Sequence, residues 1–122
     1  MKAARKISFK LNRIKCLLNS EYQGDEIYVR YDGKKIWPED RKWHRMRSGD
    51  EAILNIILPV ENIGRKVDLE LWENDFLRHS RLGSFIFLLD SLGGPYTVDM
   101  FQVDGKAKYS LVWEAMYSKQ IA

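Results

Sequence analysis

Residues 67 to 85 read VDLELWENDFLRHSRLGSF. Val67, Leu69 and Leu71 fall on one side of an extended chain, and Asp68, Glu70 and Trp72 on the other, which is the period of a half-buried strand. Glu73, Asn74 and Asp75 then form an acidic loop, followed by Arg78, His79, Ser80 and Arg81. Leu82-Gly83 opens the next strand. Carboxylates gathered on a strand-end loop can collect a hard cation. The stretch speaks more clearly for a fold than for a function.

The same grammar extends in both directions. Ile7, Phe9 and Leu11 alternate with polar residues, and the apolar parity then shifts to Ile14, Cys16 and Leu18. A phase shift inside one long strand predicts a bulge, because one extra residue restores the facing. Residues 26–31 form a strand, Asp32-Gly33 a hairpin turn, and residues 34–37 pair back until Pro38 stops them. Residues 39–50 carry no period and read as loop, with a turn at Ser48-Gly49-Asp50. Ala52 to Leu58 is a nearly continuous apolar run, the pattern of a strand buried on both faces. Pro59 to Lys66 turns through Asn62 and Gly64. Strands follow at 66–73 and 83–90, a turn at Gly93-Gly94-Pro95, a strand at 96–103, a turn at Asp104-Gly105-Lys106 and a last strand at 108–116. About eight short strands without a long amphipathic helix predict an all-β fold, an eight-stranded antiparallel sandwich.

The chain has 122 residues, enough for one core and one domain. That domain is placed at residues 7–117, after a basic arm at 1–6 and before a tail at 118–122. Hydrophobic residues make up 45%, which argues for a packed globule and against disorder. No apolar run approaches the roughly 20 residues of a membrane-spanning helix, and the start lacks the apolar stretch of a secretory signal. With the single cysteine Cys16, no internal disulfide can form, and a soluble, intracellular protein is expected. Cys16 sits among Ile14, Leu17 and Leu18 and reads as a buried structural thiol. A net charge of +3 permits anionic partners without the concentrated basic stripe of a nucleic-acid binder, and nucleic acid is not expected as a partner.

Two stretches resemble the C-two domain family, the eight-stranded sandwich of synaptotagmins and conventional protein kinases C. Gly24 to Tyr31, GDEIYVRY, is similar to the family's pattern of a loop aspartate before a strand. Leu71 to Phe76, LWENDF, with Leu82-Gly83 after it, is similar to its strand, paired acids, short loop and Ile-Gly. The resemblance covers roughly residues 7 to 116 and looks like the compact bacterial variant. In calcium-binding members loop carboxylates hold the ion. By position the resemblance implies Asp25, Glu73 and Asp75 as the ligands here. The chain departs from that pattern in three places. Asn19, Ser20 or Glu21 stands where the family offers an earlier aspartate, Ser80 where it offers a last acid, and Arg78 and Arg81 flank the loop. With these departures no cofactor is expected, calcium being the one that the resemblance implies, and pairing of Glu73 and Asp75 with those arginines is the competing reading.

Catalysis is not expected. His44 and His79 are the only histidines, in loops among basic residues, with no nucleophile elbow or phosphate-binding glycine loop. A basic cluster, Lys34, Lys35, Arg41, Lys42, Arg45 and Arg47, interleaved with Trp43 and Met46, can meet an anionic surface or be balanced by Glu39, Asp40, Asp50 and Glu51. Sheet edges offer unpaired backbone groups to partners. The long 66–72 and 108–117 segments suggest Trp72, Trp113, Met116 and Tyr117 as a protein interface. The expectation is a non-catalytic assembly module that docks onto a protein partner or its own copies. The alternative is a peripheral membrane module, assisted by calcium or working through the basic cluster.

Overall fold

A computed structural model of the chain describes residues 7–60, 65–75, 79–90, 92–103 and 105–117. Ten strands form among them: β1 (Ile7–Leu18), β2 (Asp25–Tyr31), β3 (Lys34–Trp37), β4 (His44–Met46), β5 (Glu51–Val60), β6 (Arg65–Asn74), β7 (His79–Leu89), β8 (Gly93–Asp99), β9 (Phe101–Gln102) and β10 (Lys108–Tyr117). They build two antiparallel sheets. One runs β5-β1-β10-β8. The other runs β3-β2-β6-β7-β9, with β4 also paired to β2. The all-β sandwich is as expected, with ten strands instead of eight. The arm, the tail, the turn through Asn62 and Gly64, Asp104 and the residues Phe76, Leu77 and Arg78 lie outside the described residues.

The inner faces meet through the residues that the alternation picked out. Phe9, Leu11, Ile14 and Cys16 from β1, with Tyr109, Leu111, Trp113 and Ala115 from β10, face Ile27 and Val29, Val67, Leu69 and Leu71, and Phe85, Phe87 and Leu89. Phe87 joins the layers, stacked on Trp113 at 4.1 Å and edge-on to Phe9 at 5.8 Å between ring centres. Burial of this order, at about 25 cal/mol per Å² of apolar surface, is what holds two sheets together. The predicted bulge in β1 is present. Leu11 pairs with Trp113 and Arg13 with Val112, so Asn12 is the extra residue. Asp32 and Gly33 both take positive φ, 53° and 78°, as a two-residue hairpin between right-twisted strands requires.

Three segments depart from the sequence reading. The stretch 39–50 contains β4, whose three residues pair with Asp25–Ile27. A strand this short has too few residues to show a period. The stretch read as one strand at 96–103 is split between layers, because β8 pairs with β10 while β9 pairs with β7. The glycines read as a turn at 93–94 belong to β8. Finally, β5 is an edge strand and is not buried on both faces: Ile53 is 78% and Ile57 58% exposed. Its apolar outer positions meet solvent because nothing among the described residues covers that face.

Gly83 is needed for a close approach. A Cβ there would lie 2.3 Å from the Phe101 carbonyl oxygen, so β9 can pair with β7 only across a residue without a side chain.

Candidate functional site

Two sites share strands β2 and β6. Along β2 and β6 alternate side chains point to opposite faces. Tyr28 pairs with Trp72 and Arg30 with Glu70 on the outer face, while Ile27, Val29 and Leu71 enter the core. Lys35 on β3, Lys42 after it, Asn74 at the end of β6 and His79 at the start of β7 complete a cavity of about 540 Å³ over this face. It is lined by Tyr28, Arg30, Lys35, Lys42, Trp72, Asn74 and His79, three cations without a carboxylate.

Its floor is rigid. The Tyr28 and Trp72 rings stack at 6.3 Å with 20° between planes. The Arg30 guanidinium lies over the Trp72 ring at 5.3 Å, and its Nη2 donates to the Gly33 carbonyl at 2.9 Å. Trp72 Nε1 donates to Glu70 at 3.3 Å, and Arg81 pairs with the same carboxylate at 2.9 Å. The Tyr28 hydroxyl shares a 2.6 Å hydrogen bond with His79 Nδ1. Burial raises the Tyr28 phenol above its ordinary value despite Arg30 beside it, so the hydroxyl stays neutral. The result is a shallow apolar floor ringed by cations.

The second site lies at the strand ends. Asp25 is fully buried at the start of β2. Its oxygens accept from the backbone N–H groups of Ser20 at 2.9 Å and Glu21 at 2.8 Å, and from the Tyr109 hydroxyl at 2.7 Å. The carboxylate thus ties the β1–β2 loop to β10. Glu73, only 7% exposed, has no hydrogen-bond partner for its side chain among the described residues and lines a cavity of about 540 Å³. Glu21, Glu26, Asp75, Trp43 and Arg45 also line it. Burial first, then the charges of Asp25, Glu21, Asp75 and Glu26, push the Glu73 carboxyl up to about 7. Arg45 pairs with Glu26 at 3.0 Å, reaches the Gln23 carbonyl at 3.1 Å and covers Trp43.

The three residues implied as calcium ligands are therefore neighbours in different states. Asp25 is a loop clamp with its acceptors filled, Glu73 is buried and Asp75 is exposed. Calcium takes six to eight oxygens. Among the described residues no group of three or more acidic, histidine or cysteine side chains converges on a point that would hold a metal ion. This donor set does not fit the ion. Arg81 is committed to Glu70, away from the acidic loop, and Arg78 lies outside the described residues.

The basic cluster read from the sequence is divided. Lys35 and Lys42 enter the groove. Arg41 pairs with Asp40 at 2.8 Å and with His44 Nδ1 at 2.6 Å. Arg45 faces the acidic cavity, Arg47 reaches the Gln23 carbonyl at 3.3 Å, and Lys34 is exposed on the hairpin. His44 packs on Trp37, and burial, with Arg41 next, lowers its pKa. Arg30, Tyr28 and His79 were missed as groove residues. The available signal was the shared outward parity of Tyr28 and Arg30 with Trp72 and Asn74.

The expected interface also disperses. Trp113 is 6% exposed and stacked in the core, and Trp72 forms the groove floor. Met116 is half-buried, while Tyr117 is exposed where β10 meets Ile7. Both β6 and β10 are interior strands with neighbours on each side. Trp113 cannot serve as an interface residue, because alternation on β10 turns it toward Phe87. The long open edge is β5.

No family model matches the chain, and no curated protein matches it. Among solved structures it is similar to the first C-two domain (domain A) of plant extended synaptotagmin 1, at 10% identity and a TM-score of 0.59, covering 100% of both chains. It is also similar to human GIVD cytosolic phospholipase A2, at 9% identity and a TM-score of 0.53. There the match covers 97% of this chain but 17% of the enzyme. Neither neighbour is bacterial, so the expected bacterial variant gains no support. No helix among the described residues is long and apolar enough to cross a membrane. The chain has the two-sheet fold of a C-two domain.

Proposed function

We propose that the domain is a non-catalytic peripheral module that docks onto an anionic, phosphate-bearing membrane surface through the β2–β6 groove, without calcium. The observation that carries this reading is the groove itself: Arg30, Lys35 and Lys42 around a stacked Tyr28–Trp72 floor, with no carboxylate in the lining. Phosphate oxygens accept charge-assisted hydrogen bonds from such cations, and Asn74 and the Tyr28 hydroxyl add neutral polar groups beside them. Each Lys or Arg near an anionic leaflet contributes about 1 kcal/mol, so three of them give a modest, salt-sensitive affinity.

A second reading, docking to a protein or a second copy, rests on the exposed edge β5 with Ile53 and Ile57 outward. It differs from the first in what salt does, since apolar strand pairing persists when charge is screened.

Co-sedimentation with vesicles tests the proposal. Binding to phosphatidylcholine vesicles containing about 30% anionic phospholipid, unchanged by a chelator and lost near half-molar salt (about 4 Å screening length), is expected. The double variant Lys35→Ala/Lys42→Ala should lose about 2 kcal/mol, roughly 30-fold in affinity. Equal binding to neutral vesicles, or an unaffected double variant, would refute the assignment.

A further inference from the structure

The acidic cavity beside the C-terminal end of β6 is chemically the reverse of the groove. Its charged lining is Glu21, Glu26, Glu73, Asp75 and Arg45. Arg45 is spent on Glu26 and the Gln23 carbonyl, which leaves Glu21, Glu73 and Asp75 without a cation among the described residues. Glu73 is the telling group, since it is 7% exposed, faces the cavity and lacks a donor among the described residues. Its oxygens keep only the partial hydration that the cavity allows, which a bound donor would replace.

We propose that this cavity receives a primary ammonium group, the side chain of a lysine on a partner protein. An ammonium carries three donors on a compact charge at the end of a flexible four-carbon stem. It needs two or three oxygens at about 2.8 Å, not the six to eight that calcium requires. Glu21, Glu73 and Asp75 line the cavity beside Tyr22 and Trp43, whose rings offer apolar surface to the stem. Asp25 sits behind Glu73 with its oxygens already filled by Ser20, Glu21 and Tyr109, so it shapes the field without touching the ligand. The proposal concerns a cavity that adjoins the membrane groove at Asn74 and does not depend on that groove's function.

Entry of an ammonium favours ionised Glu73, so binding near neutral pH releases a fraction of a proton. Asp25 and Glu26 on β2, Glu21 in the β1–β2 loop, Asp75 after β6 and Arg45 on β4 are the charged groups facing it. The test is calorimetry of an acetylated tetralysine amide into the full chain at about pH 7, in two buffers of different ionisation enthalpy. Saturable binding with proton release is expected, weakened about tenfold in Glu73→Gln, the loss of one charge-assisted hydrogen bond. Asp75→Asn, on an exposed side chain, provides a second variant expected to weaken binding, and Lys35→Ala/Lys42→Ala should leave it unchanged. The proposal is overturned if Glu73→Gln binds tetralysine as the wild type does. It is equally overturned if calcium chloride displaces the peptide with a thermal shift that Glu73→Gln abolishes, which would make this a metal site. Capture by phosphatidylethanolamine vesicles with no peptide binding would assign the ammonium to lipid and also overturn it.

Discussion

Replacing Glu73 by glutamine should stabilise the domain, and only above the acid range. The side chain is buried beside Asp25, Glu21, Asp75 and Glu26, and its carboxyl is pushed up to about 7 from an ordinary 4.5. The folded state therefore keeps a proton that the unfolded chain has already released. Between those values the native state binds more protons, so stability falls as pH rises. The contribution is full below about 4.5 and lost as pH climbs through about 7. At about 1.4 kcal/mol per pH unit, the gap sets an effect of about 3 kcal/mol. Glutamine has the same shape and no charge, so the variant should not feel this slope. Urea denaturation of both proteins at roughly pH 4.5, 6 and 8, read as the difference between them, cancels the other carboxylates. The variant should match the wild type in acid and exceed it by up to about 3 kcal/mol at alkaline pH, on the order of 10 °C in midpoint for a chain of this size. A difference that stays flat with pH, or a variant less stable at alkaline pH, would refute the account of Glu73 as a buried, uncompensated acid.

Other expectations follow from single contacts. Tyr109→Phe removes a 2.7 Å hydrogen bond to the fully buried Asp25 and should cost about 1.5–3 kcal/mol in chemical denaturation. Asp25→Ala orphans the Ser20 and Glu21 amides as well and should cost more, which a calcium-ligand role alone would not require in metal-free buffer. Gly83→Ala places a methyl 2.3 Å from the Phe101 carbonyl oxygen, so β9 must detach or shift, at about 1–3 kcal/mol and with faster amide exchange in Phe101 and Gln102. Ile53→Lys and Ile57→Lys change exposed positions and should each leave stability within about 0.5 kcal/mol, an outcome excluded if β5 were covered on its outer face.

The sandwich was legible because alternation encodes facing. Val67, Leu69 and Leu71, and the shift from Leu11 to Ile14, named the core side of β6 and β1 and located the bulge. Burial on β5 was misread because Ile53 and Ile57 are apolar while their surroundings are set by the strand's place at the sheet edge, which composition does not carry. The role of Asp25 was hidden for a related reason. A loop aspartate before a strand looks the same whether its oxygens face a cation or cap two backbone amides, and only the approach of Tyr109, 84 positions away, separates the cases. The basic cluster failed as a unit because neighbours in a loop point in different directions. Lys35 and Lys42 meet Arg30 over β2, while Arg45 turns to Glu26.

The two cavities impose an orientation on the proposed docking. Trp72 on β6 opens onto the basic groove, Glu73 after it belongs to the acidic cavity, and Asn74 lines both. Trp72 and Glu73 thus send their side chains to opposite sides of one backbone segment. A domain approaching an anionic leaflet by its strand-end loops would bring Glu21 and Asp75 forward and be repelled. Approach by the outer face of the six-stranded sheet brings Arg30, Lys35 and Lys42 forward, with Glu70 held by Arg81 at 2.9 Å and with Glu21, Glu73 and Asp75 left at the strand ends. Side-on docking leaves the β5 edge, in the other sheet, open to a protein partner while the membrane is engaged. Fluorescence quenching from labelled lipid distinguishes the two poses. Trp72, in the groove, should be quenched at low salt and recover at high salt, whereas quenching of a fluorophore placed at Tyr22 with none at Trp72 would reverse the assignment.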